Sequence, residues 1–262
     1  MKTRKAILGV LIMFVAASAF ASGGDRVDVE VISDRGDRFQ LIPHRDFRSG
    51  ATRTSKSYLE ARRGENYTIL VRNNLAWRVG VVVAVDGRNI ITGRKSFLKD
   101  NEMMYIVGPH GEARLDGWRT SSSTVNRFYF TDSPDSYSVR TFGDSSAMGV
   151  IAIAVFREKE RPVAQLFDRN SSGKAAAPSA PRDSSKEAAG DEAGTGFGNE
   201  QHSPAVSVEF EPETGAMQKI LIRYEWREEL CKKGILQCRP AVRNRLWDAD
   251  EFAPYPPGYR SR

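Results

Sequence analysis

Apolar and polar residues alternate over short stretches along most of this chain, and turn-forming residues separate each stretch from the next. Val27-Asp28-Val29-Glu30-Val31 alternates strictly, which predicts a strand with one face on the core and the other in water. Tyr67-Thr68-Ile69-Leu70-Val71 and Phe128-Tyr129-Phe130 are denser in β-branched and aromatic side chains, as expected of strands that are central or covered on both faces. Two longer apolar runs, Val79 to Val85 and Met148 to Phe156, are too short and too rich in Val and Ile to favour helices. They predict two core strands that pair or face one another. Helical periodicity is nearly absent from Val27 to Phe156.

The turns between these runs set the expected connectivity. Asp86-Gly87 lies between Val79–Val85 and Arg88–Thr92, and predicts a type I′ hairpin over residues 79–92, because both central positions need positive φ. Asp132-Ser133-Pro134-Asp135-Ser136 predicts a turn between strands at Phe128–Thr131 and Tyr137–Thr141. Gly108-Pro109-His110-Gly111 predicts a third hairpin, between Met103–Val107 and Ala113–Leu115. From Asn170 to about Ala193 there is no aromatic or branched aliphatic residue to offset the entropy of ordering, so a flexible linker or rim loop is expected. Strands are expected again at Val206–Phe210 and Lys219–Tyr224, and one or two helical turns over Arg227–Gly234, where acids come early, Lys late and Gly last. The tail from Ala253 is expected to be extended or disordered. The fold class is mostly β: an antiparallel, jelly-roll-like β-sandwich with an internal disordered segment and a short C-terminal helix. Residues 22–168 form its main part, 169–198 the linker, 199–230 the completing strands and 231–262 a disulfide loop and extended tail.

The N-terminus changes the picture of compartment and charge. Lys2, Arg4 and Lys5 precede an uncharged run from Ala6 to Ala21 that closes on Ala19-Phe20-Ala21, the order of a secretory signal peptide over residues 1–21. The run is shorter than the roughly 20 apolar residues of a membrane span, so a periplasmic or secreted protein without a transmembrane segment is expected. Removing the leader takes three of the 39 Lys and Arg and none of the 33 Asp and Glu, so the net charge falls from +6 to +3. A charge that small makes no case for nucleic acid as a partner. Arg62-Arg63 reads as a solvated strand end. Export also gives Cys231 and Cys238, the only two cysteines, an oxidising setting, and an intramolecular disulfide is expected.

A resemblance accompanies these readings. Gly64-Glu65-Asn66-Tyr67-Thr68-Ile69, Val82 to Gly93, Gly117-Trp118-Arg119, Arg127 to Thr131, Asp135-Ser136-Tyr137 and Gly149 to Phe156 resemble a group of uncharacterised secreted proteins of Gram-negative bacteria. The likeness covers residues 58–158 and extends more weakly through Gly194 to Gly198 and Ile222 to Tyr224. It implies export and a β fold and brings no activity. The cysteine pair and the proline-rich tail depart from that pattern.

Candidate chemistry is sparse. His44, His110 and His202 stand far apart without metal-ligand spacing, so no metal or other cofactor is expected. No serine-nucleophile elbow occurs, and Gly194-Thr195-Gly196-Phe197-Gly198 lacks the Lys of a phosphate loop and reads as a flexible turn. Asp28, Asp86, Asp116 and Asp135 are the carboxylates from which a hydrolase pair would come. The more suggestive surface is Trp118 and Arg119 with Trp77, Arg78, Arg88 and Asn89, since exposed Trp and Arg serve glycan and protein contacts. The expectation is a non-enzymatic binding or structural module for a protein or glycan partner. The alternatives are a glycan-binding domain using Trp118 and Arg119, and a hydrolase.

Overall fold

The computed structural model describes residues 26–160 and 192–238. The expected signal peptide, most of the expected linker and the tail beyond residue 238 lie outside the described residues. Along the chain run β1 (Val27–Ser33), β2 (Leu41–Ser49), β3 (Thr52–Ala61), β4 (Asn66–Asn73), β5 (Val79–Val85), β6 (Arg88–Asn89) and β7 (Tyr105–Val107). They are followed by β8 (Glu112–Leu115), β9 (Gly117–Arg119), β10 (Thr124–Asp132), a 3-10 turn (Ser133–Asp135), α1 (Tyr137–Phe142) and β11 (Val150–Arg157). The described chain ends with β12 (Ala193–Thr195), β13 (Glu200–His202), β14 (Gln218–Trp226) and α2 (Arg227–Lys232).

Two sheets result, and their inner faces form one core. The first joins β1, β4, β10 and β12, with β8, β9 and β13 filling in along β4 and β10; the second runs β2-β3-β14-β11-β5-β6, with β7 on β5. Val27, Val29 and Val31 point inward while Asp28 and Glu30 point out, as the alternation requires. Phe130 of the first sheet meets Tyr224 of the second at 5.2 Å between ring centroids. Burying each such large apolar side chain contributes about 1.5–3 kcal/mol. Gln218 ties the layers at one margin: its side chain accepts from Val27 N at 3.1 Å and donates to Val27 O at 2.8 Å.

The two apolar runs are adjacent antiparallel strands, from Ile151 opposite Val85 to Arg157 opposite Val79. They are apolar on both faces because the outer face of this sheet is also covered, Leu98 and Met104 packing on Val82, Ala154 and Phe156. The covering is close at Gly80, where a Cβ would stand 2.3 Å from Met104 Sδ and 2.7 Å from Phe210 Cε1. The Asp86-Gly87 hairpin forms with φ of 48° and 74° at its two central residues.

Several elements differ from expectation. Pairing is antiparallel except between β14 and β3, which run parallel from Gln218 opposite Arg53 to Trp226 opposite Ala61. Residues 105–115 make no hairpin: β7 pairs with β5 and β8 with β4, so the Gly108–Gly111 turn carries the chain from one sheet to the other. Asn73 holds that crossing, its amide donating to the carbonyls of Trp77, Val107 and Gly108. Tyr137–Phe142 is a helix, because Ser136 caps Val139 N and Gly143 closes the other end at φ 63°. Val206–Phe210 forms no strand, and Val206 is 86 % exposed. Ala193–Thr195, expected in the flexible linker, is a buried strand along Phe130–Asp132. The C-terminal helix forms as expected, and Cys231 is bonded to Cys238 with their Cα atoms 5.6 Å apart.

Candidate functional site

The residues singled out by sequence mostly gather at one end of the sandwich, around the loop that follows Gly87, but they are its frame and not its surface. Asn89 organises the loop: its amide donates to Met103 O at 2.9 Å, and its carbonyl accepts from Ile91 N at 2.9 Å and Thr92 N at 3.3 Å. Arg88 is buried, bonded to Asp144 at 2.7 Å and to Ser138 Oγ at 3.4 Å, with its guanidinium 4.0 Å from the Phe142 ring. Burial pushes the Asp144 carboxyl up, but hydrogen bonds from Ser146 and the cations Lys95 and Arg88 outweigh it and leave it below the usual range.

Trp118 is 2 % exposed, so its indole offers no platform to a ligand. The reason lies in register: β9 pairs Trp118 with Asn126, two residues from Phe128, so both rings turn to the core and meet at 5.3 Å. The indole N–H donates to Gly196 O at 3.0 Å. Arg119 is also committed, to Tyr105 Oη at 2.8 Å and to the carbonyls of Ser121 and Ser203. Trp77 stands apart from this end; its ring is partly exposed under the Arg157 guanidinium at 4.7 Å. Arg78 beside it is paired with Glu158.

What this frame presents outward is a set of three rings that sequence reasoning missed. Tyr137 packs on Trp118 at 4.5 Å, stacks on Phe197 at 5.2 Å with 26° between planes, and meets Phe142 edge-on at 5.6 Å. Phe142 and Phe197 are 44 % and 42 % exposed. The ledge stands on α1 and on the segment after β12, both tied to the sheets: Gly196 N donates to Tyr129 O and Gly198 N to Arg127 O, each at 2.9 Å. The signal for α1 was present in Ser136 and Gly143.

Beneath this end lies a buried polar chain. Asp86 Oδ1 accepts from Tyr224 Oη at 2.5 Å and Gly149 N at 2.9 Å, and Oδ2 accepts from Thr195 N at 2.7 Å. Thr195 Oγ1 lies 2.7 Å from Tyr224 Oη and 2.8 Å from Tyr67 Oη. Burial raises the Asp86 carboxyl, the bonds from Tyr224, Thr195 and Gly149 pull it back, and it settles at about 7. Burial first, then the charge of Asp86, holds the Tyr224 hydroxyl well above its ordinary value. The turn residue read from sequence is thus a clasp between both sheets, with no opening to a substrate.

The other carboxylates do not converge. Asp28 bonds Arg26 and Asn74 on the outer face of the first sheet. Asp116 accepts from Thr68 Oγ1 at 2.7 Å on the same face. Asp28 lies opposite Arg72, four residues along β4 from Thr68, so the two acids are roughly 13 Å apart, beyond the spacing of a glycosidase pair. Asp135 sits in the 3-10 turn. His44 lies edge-on to Tyr58 at 5.2 Å, while His110 and His202 belong to a turn and to β13. Among the described residues, no three His, Cys, Asp or Glu side chains stand close enough to hold a metal ion. No helix among them is long and apolar enough to cross a membrane. No family model, curated protein or solved structure matches the chain.

Proposed function

We propose that this protein is an exported, non-enzymatic binding module whose contact surface is the aromatic ledge of Tyr137, Phe142 and Phe197. The observation that carries this reading is the exposure of two phenylalanine rings on backbone that is capped, paired and rooted through Tyr137 on the buried Trp118. Rings held in place lose little entropy on binding, which is what contact sites use aromatic residues for. The disulfide supports an oxidising, extracytoplasmic compartment. A glycan ligand is favoured by the Phe197 ring, 42 % exposed and backed by the stacked Tyr137 ring, which offers a face on which a sugar ring stacks. Titration of isotope-labelled protein with a panel of neutral oligosaccharides tests it. Amide shifts confined to residues 88–94, 136–143 and 194–198, lost in the Phe142→Ala, Phe197→Ala double variant, are the expected result. Shifts centred elsewhere, or cleavage of any sugar in the panel, would overturn the reading.

A further inference from the structure

We infer that the β2–β3 ribbon is a docking surface for an acidic polysaccharide, independent of the aromatic ledge. Register places Arg45 directly opposite Lys56 and Arg48 directly opposite Arg53. Like charges facing one another across a strand pair are destabilising; Asp46 relieves the second pair by bonding Arg53 at 3.5 Å, but among the described residues no acid pairs with Arg45 or Lys56, so stability does not account for the first. A bulge at His44 creates the arrangement: Pro43 pairs with Ser57, then Arg45 with Lys56, and the skipped residue turns Arg45 and Phe47 onto the outer face of the sheet.

That outer face is basic. Lys219 lies beside Thr54, which pairs with Phe47, and so adds a third cation to Arg45 and Lys56. Among the described residues none of these three is in an ion pair; Arg45 and Lys56 instead lie 5.3 and 5.9 Å from the centroid of the Phe47 ring. The acids of the same face are already taken, Glu60 by Arg227 and Glu225 by Arg223 and Lys233. Charged residues on an edge strand also serve to block edge-to-edge pairing. That accounts for Arg45 and Arg48, but Lys56 and Lys219 stand on β3 and β14, which are paired on both sides.

The partner that fits is a flexible acidic sugar chain. Arg48 and Arg53 project from the opposite face to Arg45 and Lys56, and a chain can follow cations round an exposed edge where a flat bilayer meets one face only. Ser49 places a hydroxyl on the face of Arg45 and Phe47, and Ser55 one beside Arg53 on the other face, for sugar oxygens. Single-stranded nucleic acid is bound through successive stacked aromatics; here the Phe47 ring already carries two cations and Tyr58 meets His44 edge-on at 5.2 Å, so the ribbon's rings form no stacked row.

The test uses the purified protein with polygalacturonate and dextran sulfate, uncharged dextran as the blank, and single-stranded DNA as comparator. Both acidic polysaccharides should bind and dextran should not, with affinity falling steeply as salt is raised. The Arg45→Ser, Lys56→Ser, Lys219→Ser variant should lose about tenfold or more in affinity. A charge-matched control away from both surfaces, Arg35→Ser, Lys99→Ser, Arg114→Ser, should change it by less than about twofold. Equal losses in the two triple variants would reduce the effect to net charge and overturn the proposal. DNA binding as tight as polysaccharide binding would overturn the assignment of partner. The ribbon variant should melt no lower than the parent, since like-charge pairs are relieved; a lower melting temperature would make the cations structural. The Phe142→Ala, Phe197→Ala variant should bind both polymers unchanged, so that failure here and failure at the ledge are read separately.

Discussion

Asp86 makes the protein's stability depend on pH in a direction opposite to ordinary acid lability. Its carboxyl titrates at about 7 in the folded state against 3.8 for the free group, because the charged form is buried without a cation beside it. A folded-state value above the unfolded one means that folding takes up a proton between those two values. Its contribution is therefore fully present below about pH 4 and is lost as pH rises through 7. The difference between the two values corresponds to about 4 kcal/mol.

The perturbation that isolates this is Asp86→Asn, which keeps the shape and tolerates the positive φ of 48°. The amide places an NH2 group where Oδ2 accepts from Thr195 N, leaving that donor unpaired at a fixed cost of about 1–3 kcal/mol. This offset does not titrate, so it cancels from the pH dependence. Urea unfolding of parent and variant from pH 4 to pH 8.5 gives the difference in stability at each pH. It should move by about 4 kcal/mol in favour of the variant across that range. A difference that stays flat would show that the carboxylate is not desolvated, and one that moves in favour of the parent would reverse the sign of the argument.

Three further outcomes test the same packing. Tyr224→Phe removes a hydroxyl bonded to the Asp86 carboxylate at 2.5 Å and should destabilise by about 1.5–3 kcal/mol at pH 8.5 and by less at pH 5, read from unfolding midpoints. Trp118→Ala empties a site in contact with Phe128 and Tyr137 and should cost about 3–5 kcal/mol, whereas Phe142→Ala should stay within about 1 kcal/mol. Cys231 and Cys238 should resist alkylation until reduced, and the unreduced chain should be lighter by two hydrogens; reduction should lower local stability by about 2.5 kcal/mol on the chain-entropy account, visible as faster amide exchange in α2.

The strands that could be read from sequence are those whose own residues decide their burial. β1 alternates, and β5 and β11 are apolar on both faces because covering loops make both faces dry. The β2–β3 ribbon shows no such pattern: its outer half lies beyond the core, and residues 44–49 of β2 are exposed throughout. Val206–Phe210 has the composition of a strand, but no neighbouring strand pairs with it, and pairing is a tertiary fact that no local pattern carries. The parallel match of β3 to β14 joins residues far apart in sequence, and the turn chemistry that announces hairpins is silent about it. Tyr137–Thr141 departs from expectation for a different reason. Its Tyr, Val and Thr favour a strand, yet Ser136 and Gly143 cap both ends of a helix, and the caps prevail where only one or two turns are needed.

The candidate site failed in sequence on face, not on place. Trp118, Arg88 and Asn89 lie at the end that carries the ledge, but ranking residues by type selects the large side chains without deciding which way they point. That direction follows from parity. β9 and β10 are joined by the three-residue turn Ser121 to Ser123, closed by Thr120 N donating to Thr124 O at 3.1 Å, which sets Arg119 opposite Val125 and Trp118 opposite Asn126. Phe128 faces the core, so Asn126 shares its side and Trp118 is drawn in with them. A turn of three residues on that run assigns Trp118 to the core by parity, whereas one of two or four would turn it outward, and the Thr and Ser of the run do not choose between these lengths. No comparable step leads to Phe197, whose ring reaches Tyr137 only because β12 lies along β10 across a long gap in the chain.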